Sequence, residues 1–308
     1  MTEVVCLGIL VADVIARPVD RLPERGTLEL VDEIRVHGGG CALNTASALA
    51  RLGRHAAAAG KVGADPLGDV LLGVLEERGV DRRAVVRDPV TPTSATVALV
   101  GADGERTFLH LPGANASLRA GDLDPELIFS GRALHVGGAL LLEALDGEPT
   151  AAVLAEARRQ GLFTSLDTAY DASGRWNRVL PSLQGLDLFT PSIAEARAVT
   201  GERDPDRAAM RLRELGVREV AVTLGPDGCY VAGENFEGYL PATDVEVVDG
   251  TGSGDAFAAG FIHAKLAELH LADAARLANA TGALAATASG AYDGLRGLEE
   301  TMALAGLG

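Results

Sequence analysis

VVDGTGSGDAFAAGFI, residues 247–262, decides how this chain is read. Glycines stand at positions 250, 252 and 254, Asp255 follows at once, and then comes a run of helical composition. The expected arrangement is a strand end over Val247–Asp249, a bare loop, and a helix starting near Gly254. Glycine lets backbone N–H groups approach a ligand closely, and a helix start adds the positive end of its dipole. Gly252, Ser253 and Gly254 therefore form a candidate anion hole. Asp255 falls in the first helical turn, where N–H donors and the dipole are expected to keep it ionised near neutral pH. Capping is the competing explanation, because Ser and Asp are favoured at helix N-termini for that purpose alone. Taken by itself, the stretch supports both readings equally. Two other glycine-loop chemistries fail. A P-loop needs GxxxxGK[ST], and the only lysines here are Lys61 and Lys265. A dinucleotide fingerprint needs GxGxxG after a first strand, whereas residues 250–255 run GxGxGD late in the chain.

Outward from this stretch the pattern is strand then helix, repeated. VVCLGIL (4–10), ALHVGG (133–138), LFTSLD (162–167), LDLFTPS (186–192) and REVAVTLG (218–225) read as strands. Segments 43–53, 66–80 and 148–161 read as helices, and long helices close the chain at 254–269, 271–288 and about 297–306. Repeated βα units imply an α/β fold with a mainly parallel sheet and helices on both faces. Ligands then bind at the carboxyl ends of the strands. Segments 12–38 and 92–113 break the rhythm; they are polar and β-like, with a hairpin-type turn at GADGE (101–105). They read as one small sheet projecting from the main body as a lid, against the plainer alternative of two edge hairpins. The expected division is a core of 1–11, 39–91 and 114–308, with the lid over 12–38 and 92–113.

Bulk properties exclude some partners. The net charge of −16 argues against nucleic acid and anionic membrane, both of which select basic surfaces. Three scattered cysteines without CxxC suit a reducing cytoplasm and give no disulfide or zinc framework. The N-terminal run has no basic segment before it and reads as a first strand, neither signal peptide nor membrane span.

A second glycine block, GGGCALNTASALARLG (38–53), is followed by GKVGADPLG (60–68), and TLGPDG (223–228) precedes the late block. With LPERG (22–26), DGERTF (103–108), GAN (113–115) and SIAEARAVTG (192–201), these motifs span essentially the whole chain. In this order they resemble the PfkB family of carbohydrate kinases, whose fold is ribokinase-like, a three-layer α/β/α core with a small β lid. The resemblance implies ATP-dependent phosphorylation of a hydroxyl on a small sugar or polyol, with Mg²⁺ on the nucleotide phosphates. Asp255 matches the catalytic base, and Gly252, Ser253 and Gly254 the anion hole. Asp13, Gly39, Gly40 and Asn44 match sugar contacts, while Thr223, Gly225, Gly228 and Asn279 match the nucleotide site. Glu195 matches a position tied to the Mg²⁺ and water network. Asp249 and Thr251 lie where many members bind a monovalent cation such as K⁺. The lid often forms a homodimer interface.

Two departures stand out: Ser192 replaces the commoner Asn before Glu195, and Gly250 replaces a commoner Thr. Arg106 is a candidate for reaching a substrate oxygen over the lid, with a solvated or interface charge as the alternative. Asp167, at a strand end, is a further candidate for facing the site; His110, His135, Glu143, Arg175 and Trp176 are weaker ones, and Cys41 reads as a small buried side chain. A nucleoside kinase of the same fold is disfavoured by 4% aromatic content, because base-stacking sites need aromatic walls. A silent sugar-binding regulatory protein is disfavoured because both Asp255 and the glycines are kept.

Overall fold

The computed structural model describes residues 1–103, 105–169 and 173–308. Thirteen strands run in chain order among them. They are β1 (Val4–Gly8), β2 (Val11–Arg17), β3 (Glu33–Gly39), β4 (Ala56–Gly63), β5 (Asp81–Asp88), β6 (Ala95–Val100), β7 (Arg106–Leu111), β8 (Ala133–Ala139), β9 (Phe163–Thr168), β10 (Leu188–Phe189), β11 (Glu219–Thr223), β12 (Cys229–Ala232) and β13 (Glu237–Leu240). Nine form one sheet in the order β13-β12-β11-β10-β9-β8-β1-β4-β5. Every pairing from β5 across to β11 is parallel, and only β12 and β13 add antiparallel edges.

Strand alternation sends successive side chains to opposite faces. Val4 and Cys6 join one apolar core with the Cys41–Arg51, Ser253–Leu266 and Leu271–Ala285 helices. Val5 and Leu7 join a second core with the Glu148–Arg159 and Pro205–Glu214 helices. These two cores, one on each face of the sheet, make the three layers expected. Among the described residues no helix is long and apolar enough to cross a membrane.

The segments that broke the βα rhythm form a separate four-stranded sheet, β3-β2-β6-β7. The chain passes from β1 into β2 with only residues 9 and 10 between them. The GADGE turn lies partly outside the described residues, since Gly104 is not among them.

One expected element is absent. Residues 241–249 have no regular structure, so Val247–Asp249 is not a strand end. The β-branched pair Val247 and Val248 is 67% and 61% exposed, because no neighbouring strand covers it. Instead the Val248 and Asp249 N–H groups donate to Ala286 O at 2.8 and 3.1 Å. The segment is thus tied to the C-terminus of the Leu271–Ala285 helix. The LDLFTPS segment is likewise reduced to two strand residues, Leu188 and Phe189.

Candidate active site

Helix Ser253–Leu266 starts one residue earlier than expected, with Gly252 as its N-cap at φ +76°. That left-handed backbone favours glycine, and a methyl group there would meet Ala291 Cβ at 2.2 Å. Gly252 is therefore required by the protein itself. Gly254 is different: a methyl group there would meet nothing within 4 Å. Nothing in the chain's own packing demands a glycine at 254.

What lies in front of it is a cleft of about 450 Å³. Gly250, Ser253 and Gly254 line one end, and Thr223, Gly225, Gly228 and Asn279 line the rest. Of the expected anion-hole residues, Ser253 and Gly254 line the same cavity as the four expected nucleotide residues, and Gly252 is not in its lining. Its apolar wall, Val245, Val247 and Phe257, carried no signal in the sequence. The Asn279 amide donates to Pro241 O at 2.9 Å and so also fixes the loop bordering the cleft.

The same helix turn faces a second group of residues through Asp255. Asn44 Nδ2 donates to Asp255 Oδ2 at 2.8 Å, and Thr45 Oγ1 donates to the Asp255 carbonyl at 3.2 Å. Cys41 Sγ and carboxylate oxygens of Asp167 and Asp255 lie within 4.8 Å of one another. Cys41 and Asn44 are one turn apart on the Cys41–Arg51 helix, so they share a face. That spacing was the signal, unread in the sequence, that Cys41 would stand beside Asp255. Burial pushes its thiol well up, so it stays protonated and donates to Asp255.

Asp167, on β9, accepts from the Gly138 N–H at 2.6 Å. His135 does not face open space; it is fully buried, with Nδ1 2.9 Å from Ser165 Oγ and Nε2 3.4 Å from Asp167 Oδ2. Asp13, on β2, packs so tightly on β3 that a methyl group at Gly39 would approach its Oδ2 to 2.1 Å. Burial raises the Asp13 pKa. Gly40 caps the helix that carries Asn44. Arg175, the weaker wall candidate, bonds Glu143 at 3.2 Å and Ser173 at 2.8 Å, and Trp176 begins the short turn beside it.

The electrostatics of Asp255 differ from the sequence expectation. Its pKa is pushed up to about 7, first by desolvation and then by the charge of Asp167; the bonds from Asn44 and Cys41 oppose this only in part. Dipole and donors do not prevail, because burial and a second carboxylate outweigh them.

Glu195 and Ser192 form a capping box: Ser192 N–H donates to Glu195 Oε2 at 2.6 Å and Glu195 N–H to Ser192 Oγ at 3.3 Å. A serine in place of the commoner Asn therefore has a structural function here. Burial, reinforced by Asp167, raises the Glu195 pKa. A carboxylate held in this way suits a divalent cation, whose arrival would offset the buried negative charge.

The side chains of Asp249 and Thr251 are bonded to each other. Asp249 Oδ1 accepts from Thr251 N–H at 3.0 Å and Thr251 Oγ1 at 2.7 Å, and Oδ2 accepts from Gly290 N–H at 3.2 Å. Arg106, expected near substrate, instead pairs through Nη2 with Asp249 Oδ1 at 3.0 Å and donates through Nη1 to Thr251 Oγ1 at 3.0 Å. Burial works to raise the Asp249 pKa, but these donors outweigh it and hold the carboxyl below its usual value.

Comparison with known proteins gives the family. Residues 1–296 match the model of the pfkB family carbohydrate kinases. The chain is 33% identical over 285 residues to 2-dehydro-3-deoxygluconokinase of Bacillus subtilis, covering 88% of this chain and 87% of that one. It is 31% identical over 274 residues to fructokinase-1 of Oryza sativa subsp. japonica, covering 83% and 84%. Among solved structures, ribokinase of Thermotoga maritima superposes with TM-score 0.84 at 25% identity, covering 99% of both chains. Ribokinase of Arabidopsis thaliana, complexed with ribose and ATP, shows the same fold with TM-score 0.88 at 22% identity and 99% coverage of both. With residues 1–296 matched, the chain belongs to the pfkB family of carbohydrate kinases.

Proposed function

We propose that the protein transfers the γ-phosphoryl group of ATP to a hydroxyl of a small sugar, with fructose the first candidate and a keto-deoxy sugar acid the second. One observation carries this reading. A single helix N-terminus lines the cleft with Ser253 and Gly254 and holds the Asp255 carboxylate against Asn44 on its other side. Nucleotide and acceptor can therefore meet across one turn of helix. The relatives' names supply the sugar candidates.

Asp255 takes the proton of the sugar hydroxyl as its oxygen bonds to the γ-phosphorus and the bond to ADP breaks. A base near pH 7 suits this task better than an ordinary carboxylate, since its pKa lies close to the working pH. The helix start and the 252–254 backbone face the charge that develops on the phosphoryl oxygens. Mg²⁺ would supply positive charge to offset that of the nucleotide phosphates. Glu195 would help to hold it. Asp13, Asn44 and Asp167 orient the acceptor, and the small sheet acts as a lid that excludes water.

Purified protein with ATP and Mg²⁺ is expected to release ADP with one sugar from a panel of fructose, ribose, other hexoses, keto-deoxy sugar acids and nucleosides. Activity on nucleosides alone, or on nothing, would overturn the sugar assignment. Gly254→Ala tests the anion hole. The methyl group fits the folded chain, so the melting temperature should hold, while turnover falls about 10²-fold from obstructed phosphoryl approach. Unchanged turnover would remove Gly254 from the site.

The lid also supports a homodimer. Cross-strand pairing places Val36, Val14, Val97 and Leu109 in one row, and Asp13, His37, Thr96 and His110 in the row on the opposite face. The apolar row looks outward, with Val36 44% and Leu109 60% exposed. A second copy covering it accounts for this exposure. Leu109→Glu is expected to convert a dimer to a monomer in sedimentation; a wild-type monomer would refute the pairing.

A further inference from the structure

We propose that Arg106 is a built-in counter-cation for the Asp249 loop, standing where the family resemblance places a monovalent cation and tying the lid to the anion hole. The proposal rests on the kinase reading for its effect on turnover, but its geometry stands independently. Arg106 is the first residue of β7, at one edge of the small sheet. Its guanidinium reaches across 145 residues of sequence to Thr251 Oγ1 and, at 3.0 Å, to Asp249 Oδ1. Asp249 lies three residues, and Thr251 one, before the N-cap Gly252.

The side-chain oxygens of Asp249 and Thr251 already have partners. Asp249 Oδ1 accepts from Thr251 N–H and Thr251 Oγ1 besides facing Arg106, and Oδ2 accepts from Gly290 N–H. The Thr251 hydroxyl gives its hydrogen to Asp249 and receives one from Arg106. A monovalent ion at this loop would compete with the guanidinium for the Asp249 charge. The guanidinium supplies the same unit of positive charge, and its planar fork adds direction that a spherical ion lacks. The Asp249 side chain is only 9% exposed, so this charge is partly shielded from water and its loss would be felt.

A mechanical link follows. Arg106 leaves β7 toward the same face as Phe108 and His110, and His110 belongs to the row that contains Asp13. β7 therefore carries both Arg106, bonded to the loop before Gly252, and His110, in the row that contains Asp13. Arg106 is thus a positioning residue: it acts through Asp249 and Thr251 on the Gly252 turn and need not touch either substrate.

The test uses the full chain in choline buffer and in K⁺ buffer. Wild-type turnover is expected to agree within about twofold between the two, since the charge is built in. Arg106→Ala should lower kcat about 10²-fold with sugar KM within about threefold, and added guanidinium or K⁺ should restore about tenfold. Arg106→Lys, which keeps the charge and loses the fork, should fall between them. Wild-type dependence on K⁺, or an Arg106→Ala enzyme with normal kcat, overturns the proposal. Hydrogen exchange decides it without turnover: Arg106→Ala should expose the Thr251 and Gly290 amides, both donors to Asp249. Unchanged protection there refutes the latch even if a failed sugar panel has already refuted the kinase reading.

Discussion

Replacing Asp255 by Asn is expected to slow phosphoryl transfer about 10³-fold while leaving ATP affinity within about threefold of wild type. The change is isosteric. Asn44 Nδ2 now donates to Asp255 Oδ2 at 2.8 Å, and an amide oxygen can accept the same bond. The nucleotide cleft is lined by Ser253 and Gly254, not by the Asp255 side chain, so ATP should still bind. Only the ability to accept a proton is lost. The variant should also be more stable at alkaline pH. The folded-state pKa of Asp255 is raised from 3.8 to about 7. The folded state therefore holds this proton more tightly than the unfolded chain does. The stability contributed by that proton is complete below about pH 4 and lost as pH rises through about 7. Asn avoids the loss. The variant is therefore expected to melt at a higher temperature than wild type at pH 8. Single-turnover kinetics, ATP titration calorimetry and melts at pH 8 check the three parts. Near-normal turnover would remove Asp255 from the role of base.

Much of this was legible in the sequence, and the failures have physical causes. β1, β8, β9 and β11 were visible because buried parallel strands are short continuous apolar runs. The helix at Ser253 was visible because glycines and a serine mark its start. Val247–Asp249 was misread because a β-branched pair has strand propensity whether or not a partner strand exists; here the N–H groups found Ala286 O instead. Cys41 and Arg106 were undervalued for a common reason. Their partners, Asp255 and Asp249, lie far along the chain, and only the folded arrangement of lid and sheet brings them within bonding distance. The pKa of Asp255 was misjudged similarly. Local signals favour the charged form, but burial and Asp167 come from the tertiary structure. In each case local sequence described the element correctly or nearly so, and the chemistry was set by what packs against it.

The pH profile gives the second large effect. Since Asp255 must be unprotonated to act, kcat/KM is expected to rise about tenfold per pH unit below pH 7 and level off above it. At pH 5 the enzyme should retain about 1% of its plateau activity. ATP protonation also weakens nucleotide binding in this range, so the profile needs a control that separates the two. Asp167→Asn provides it. Asp167 is the second cause that raises the Asp255 pKa, after desolvation, and Asn removes its charge while keeping its shape. The Asp255 midpoint should then move to lower pH, because the remaining bonds from Asn44 and Cys41 favour the carboxylate. A midpoint set by ATP would not move, since ATP is unchanged. Loss of an acceptor contact at Asp167 would raise sugar KM at every pH without shifting the midpoint of kcat. A kcat midpoint that stays fixed in Asp167→Asn would show that the two carboxylates are not coupled in the working enzyme. A downward shift would identify their repulsion as what tunes the base toward neutrality.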